Sequence, residues 1–273
     1  MRAGPLLRAI RLAIVPLLLL SATASLAQDR RTPTVNELGA ALSRYYEKPV
    51  DIPTLLADLE KSGVGVGIRD RVMGFLAGLF VKHPEQIKIV TAVTTFGRQT
   101  QAAVIQGLRL AGRHSDALAA AKAWGWPPDQ MAPITPVTPL RQAKVNHPSS
   151  FDVMWAASFA TGDDAYVRPI YDSYERVATL PGVDVRDMVA LVMLRHKPDK
   201  DAMEALKNKY PQDTFMRIVF ASSALWSLES NARQHKFVAA ALNIYQKEKP
   251  GSPAATGLAE MRKAAEAAPG NRR

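Results

Sequence analysis

Residues 148–180 read Pro-Ser-Ser-Phe-Asp-Val-Met-Trp-Ala-Ala-Ser-Phe-Ala-Thr-Gly-Asp-Asp-Ala-Tyr-Val-Arg-Pro-Ile-Tyr-Asp-Ser-Tyr-Glu-Arg-Val-Ala-Thr-Leu, and their spacing decides the fold. Phe151, Met154, Trp155, Ser158 and Phe159 recur at helical intervals and form one mostly apolar face. Ser149 or Ser150 is the expected cap, because a serine oxygen accepts from a free N–H of the first turn. Asp152 then lies near the positive end of the helix dipole. Gly162 is the expected stop, since glycine takes the left-handed conformation common at helix C-termini. Asp163 is placed to cap a second helix, whose apolar face is Val167, Ile170, Tyr171, Tyr174 and Val177. Asp164 and Arg168 stand at i, i+4, the spacing of a helix ion pair. Pro169 is tolerated only if it falls in the first turn of that helix. Two helices joined by so short a turn lie antiparallel, and neither buries its apolar face alone.

The rest of the chain repeats this pattern, and no stretch alternates as a strand does. The expected fold is all-α: an array of antiparallel helix hairpins in two lobes, either α-solenoid-like or an irregular bundle. An N-terminal helical lobe covers residues 28–125. Pro127, Pro128, Pro133, Pro136, Pro139 and Pro148 exclude regular helix across residues 126–148, which read as a strap or linker. A C-terminal lobe covers residues 149–248. The alanine- and charge-rich residues 249–273 read as a flexible tail.

Within the first lobe, Gly74 and Gly78 sit one turn apart in an apolar helix. Glycine costs about 1 kcal/mol per position in a helix interior, so the pair implies a second helix in close approach. Within the second lobe, the helix 184–196 is apolar nearly all round and is expected to be central. Trp155 and Phe159 are expected to pin the 148–180 hairpin against it. Trp226, on a face with Phe215, Val219 and Ser222, is assigned to the core with Trp155, Phe159 and Gly162.

Residues 1–27 read as a secretory signal peptide. Arg2, Arg8 and Arg11 lead an apolar run from Leu12 to Leu20, and Ser25-Leu26-Ala27 is a small-x-small cleavage site. Cleavage is expected between Ala27 and Gln28, which makes the protein periplasmic with no transmembrane segment after processing. Cysteine is absent, which excludes disulfides, thiol catalysis and cysteine-based metal sites. The signal carries three arginines and no acid, so the net charge falls from +10 to +7 (10 − 3) on cleavage. A basic exported chain suits an acidic partner or an anionic envelope surface. Its basic residues are scattered, as on an ordinary solvated surface, and export removes it from nucleic acid.

Ser62-Gly63-Val64-Gly65-Val66-Gly67 has neither of the spacings of a phosphate-binding loop. His83, His114, His147, His196 and His235 never pair at i+3 or i+4, so no metal set is assigned. Capping accounts for Asp163 and Asp164 without acid–base chemistry. Ser222 and Ser223 lack a nucleophile elbow. No catalytic or cofactor-binding residue is assigned.

Leu108 to Pro127, with Gly112 at its turn and Ala117 opening the next helix, resembles the middle of a tetratricopeptide-type hairpin. Phe159 to Tyr174 has the same glycine turn at Gly162. The glycines lie 50 residues apart, against a period of about 34 in that repeat class. The resemblance is therefore to helical-hairpin architecture. The run Trp-Ala-Ala-Ser-Phe-Ala-Thr-Gly-Asp (155–163) resembles a segment of secreted proteobacterial helical proteins of uncharacterised activity. Together these features lead to the expectation of an exported, non-catalytic interaction or scaffold protein with a protein partner in the cell envelope. The alternative is an envelope enzyme whose carboxylates meet only in the fold. A cleft holding two close, buried carboxylates favours the enzyme, and a groove without them favours binding.

Overall fold

The computed structural model describes residues 33–63 and 68–267. The protein is 74% helical, with fourteen α-helices and no strand among the described residues. The first six are α1 (Val35–Ser43), α2 (Ile52–Lys61), α3 (Arg69–Lys82), α4 (Glu85–Thr91), α5 (Arg98–Leu110) and α6 (His114–Ala123). The proline-rich segment holds the single-turn α7 (Pro128–Met131) and a 3-10 turn at Leu140–Gln142. Then come α8 (Pro148–Thr161), α9 (Arg168–Ala178), α10 (Val185–His196) and α11 (Lys200–Lys209). The last three are α12 (Gln212–Gln234), α13 (Lys236–Glu248) and α14 (Pro253–Ala267). No helix among the described residues is long and apolar enough to cross a membrane. The signal-peptide reading, with Ala27 and Gln28, lies outside the described residues.

Local chemistry sets most helix ends. Thr34 caps α1 in a reciprocal capping box with Glu37. Asp51 caps α2, with proline in the first turn. Gly162 ends α8 with φ +65°. Pro148 itself opens α8, where its missing N–H is harmless, so the cap moves back from the serines to His147, whose Nδ1 accepts from the Ser149 N–H at 3.2 Å. Asp163 caps a 3-10 turn, Asp164–Tyr166, and α9 starts only at Arg168. Pro169 thus falls in the first turn of α9 and costs no hydrogen bond. The tighter 3-10 turn breaks the i, i+4 register. Arg168 therefore pairs with Asp172 at 2.8 Å and with Glu248 of α13, and not with Asp164.

Among the described residues the most extensive helix contact is that of α3 with α8. A Cβ added to Gly78 would lie 2.6 Å from the Ala157 carbonyl oxygen, and one at Gly74 would strike the Val153 backbone. The glycines remove the side chains that would hold the helices apart. The buried apolar residues form two clusters, and α8 feeds both: Met154, Trp155 and Ala157 into one, Ala156 and Ala160 into the other. Helix α8 therefore joins the two halves of the chain, although it was expected wholly within the second. The proline-rich segment packs as well: Ile134, Leu140 and Val145 are buried, and the Trp126 Nε1–H donates to Gln101 Oε1 at 2.8 Å.

Several expectations are overturned. Helix α8 is held against α3 and α9 against α12, while α10 packs on α12 and α14. The tail is not loose over Pro253–Ala267. Ala254 and Leu258 are fully buried there, and Arg262 Nε reaches the buried Glu229 carboxylate at 3.1 Å. Alanine and leucine at helical spacing give α14 an apolar stripe that α10, α12 and α9 cover. Trp226 is 40% exposed and does not belong to the core. The buried stripe of α12 runs through Ile218, Ala221, Ser222, Leu225 and Leu228, and residue 226 is turned about 100° away from 225.

Candidate functional site

Helices α1 and α12 both rest on α8, and a cleft of about 800 Å³ is lined by all three. Its size is that of a small-molecule or peptide site. Trp155 and Phe159 form the floor, with ring centroids 5.8 Å apart and planes tilted by 19°. Trp155 is 6% exposed, and its Nε1–H is buried with no hydrogen-bond partner among the described residues. Phe159 is half-buried and lies against the His235 ring at 4.5 Å. Trp226 of α12 and Val35 of α1 line the same cleft as exposed apolar side chains. Large apolar groups left in water within a concavity mark a contact surface more often than scattered ones do.

The polar groups of the cleft come from five helices. Arg71 of α3 donates from Nε to Asp152 Oδ1 of α8 at 3.1 Å. Arg195 of α10 donates to Ser223 Oγ of α12 at 2.7 Å. Asn36 of α1 and Asn231 and Gln234 of α12 add carboxamides. Asp152 is the one carboxylate lining the cleft among the described residues, half-exposed and held in an ion pair. The arrangement suits docking: an aromatic floor, an exposed indole, and donors in excess of acceptors.

Behind the floor, the end of α12 is fastened to the segment after α1. The Tyr46 hydroxyl lies 3.1 Å from His235 Nδ1 and 2.8 Å from Glu47 Oε1. The Tyr46 N–H donates to the Phe159 carbonyl at 3.0 Å. Gly162 is positioned against the Tyr46 ring, where a Cβ would lie 3.1 Å from Cδ2. His235 is 4% exposed, and desolvation, the largest influence, lowers its pKa. Burial pushes the Tyr46 hydroxyl up to about 12.

The other candidates from the sequence resolve into structural roles. Asp163 accepts from the Ala165 N–H at 2.9 Å and pairs with Arg141. Ser222 and Ser223 donate to the Ile218 and Val219 carbonyls of their own helix. No three His, Cys, Asp or Glu side chains gather as a metal site among the described residues. Sequence reasoning missed Asn36, Arg71, Arg195, Asn231 and Gln234. They stand far apart in the chain, so no spacing signals them, and only the packing of α1, α3, α10 and α12 around α8 brings them together. No protein-family model, curated protein or solved structure matches the chain.

Proposed function

We propose that this is an exported, non-catalytic interaction protein of the cell envelope that seats a protein partner in the cleft over α8. The observation that carries the reading is Trp226, a large aromatic left 40% exposed in a concave site. A buried aromatic anchor is the commonest source of binding energy at interfaces. The cleft's single ion-paired carboxylate supports docking over acid–base chemistry. The arginine-led apolar run before Ala27 supports export, and the net charge of +7 left after cleavage (10 − 3) supports an acidic partner or an anionic envelope surface. The hairpin resemblance adds that stacked helices suit extended contacts.

Affinity capture from the periplasm with wild type and Trp226→Ala, followed by mass spectrometry, tests the reading. A partner retained by wild type and lost by the variant supports it. A partner retained equally by both removes the cleft from the interaction. N-terminal sequencing tests export: a chain beginning at Gln28 supports it, and one beginning at Met1 in the cytoplasm overturns it.

A further inference from the structure

Charge in the cleft is unbalanced. Arg71 is matched by Asp152, whereas Arg195 reaches only the Ser223 hydroxyl and has no carboxylate partner among the described residues. A guanidinium in that position offers planar donors to an incoming carboxylate. The carboxamides are also incompletely used. Asn36 makes no side-chain hydrogen bond among the described residues. Asn231 donates to the Ser227 carbonyl at 2.8 Å, which leaves its oxygen available. Gln234 donates to the Ser230 carbonyl at 3.3 Å and likewise keeps its oxygen. A carboxamide presents one acceptor and paired donors in a plane, the complement of a peptide group. These amides come from both helices that flank the cleft, α1 and α12, so they can hold a main chain along its length.

We infer that the occupant is an extended acidic peptide segment of the partner. Its carboxylate meets Arg195, an apolar side chain covers Trp226, and its main chain is held by Asn36, Asn231 and Gln234. This deepens the docking reading and rests on it. A neutral glycan fits less well, because it would bring no counter-charge to the Arg195 guanidinium, which has no carboxylate partner among the described residues. An acyl chain fits less well, because it would strip water from the Arg195 guanidinium and supply no counter-charge.

The test uses the purified protein and a randomised library of end-blocked, biotinylated nonapeptides. Recovered peptides should carry an aspartate or glutamate close to a large apolar residue. With the best peptide, Arg195→Gln and Trp226→Ala should each weaken binding about tenfold, read by fluorescence polarisation. Both side chains are exposed, so thermal melting should stay at the wild-type value and exclude misfolding. Neutralising the peptide's acid should cost wild type about tenfold and cost Arg195→Gln almost nothing, the signature of a coupled pair. Recovery of peptides without acidic residues, or equal loss in wild type and Arg195→Gln, overturns the inference. So does displacement of the peptide by neutral oligosaccharides or by anionic phospholipid vesicles at lower concentration. If no peptide is recovered while Trp226→Ala still loses the captured partner, the acidic peptide is wrong and the cleft remains the seat. If Trp226→Ala keeps the partner, the docking reading itself fails.

Discussion

Gly78 of α3 lies so near Ala157 of α8 that an added Cβ would stand 2.6 Å from the Ala157 carbonyl oxygen. Backbone, and not a flexible side chain, occupies the space, so relief requires moving a whole helix. Gly→Ala inside a helix ordinarily gains about 1 kcal/mol. Here overpacking should outweigh that gain, and Gly74→Ala and Gly78→Ala should each lower stability by about 1–3 kcal/mol in urea unfolding. Gly39 of α1 has nothing within 4 Å of an added Cβ. Gly39→Ala should therefore show the ordinary gain, and a gain at Gly78 as well would mean that α3 and α8 do not meet as described.

The two tryptophans of the cleft should separate stability from binding. Trp155→Ala removes a large buried side chain and should cost about 3–5 kcal/mol. Trp155→Phe should cost much less, because the indole N–H has no partner among the described residues to lose. Trp226→Ala should cost less than about 1 kcal/mol in stability while weakening partner binding. Thermal melts and binding assays on the three variants check this. A large stability loss at Trp226 would return it to the core.

His235 should make stability depend on pH. Its pKa in the folded protein is lowered, chiefly by burial, with Arg44 adding and Glu47 opposing. The unfolded chain then binds a proton more readily than the folded one, so stability rises with pH through this range. The contribution is complete above the ordinary histidine value of about 6.5 and is lost as pH falls through the lower folded value. Urea midpoints at neutral and mildly acidic pH should fall for wild type and fall less for His235→Gln. Equal slopes would show that protons are taken up elsewhere.

Glu60 of α2 caps a helix that is not its own. Its Oε1 accepts from the Gly97 N–H at 2.8 Å and its Oε2 from the Thr100 hydroxyl at 3.0 Å, both at the start of α5. Glu60→Ala should cost about 1 kcal/mol, as loss of a cap and of a favourable charge at the dipole's positive end. Amide hydrogen exchange should localise the loss to the first turn of α5. An effect confined to α2 would contradict the cross-helix cap.

The Gly74–Gly78 pair was legible because its cost is local: two helix-weakening residues on one face require a compensating contact. The same holds for Gly162, whose positive φ the turn requires, and for Pro169, which a helix accepts only in its first turn. Which helix fills the space beside Gly74 and Gly78 was not legible. Helices α8 and α10 are apolar on several sides, so either could have been central, and periodicity does not rank them. Trp226 was misplaced for a related reason. On α12 the face bearing Phe215, Val219 and Trp226 and the stripe through Ile218, Ala221 and Leu225 are both apolar enough to be core, and only the neighbours decide which is covered.

The sequence by itself determined that the chain is helical and where glycine and proline stop or start its helices, because backbone preference and apolar period act within a few residues. The tertiary structure alone decided that α8 crosses α3, that α14 is packed, and that Trp226 stands beside Arg195, Asn36 and Gln234 in one cleft. Those are contacts between residues far apart in the chain. They are selected by shape and by which apolar surfaces can be covered together, and no short window of sequence contains that information.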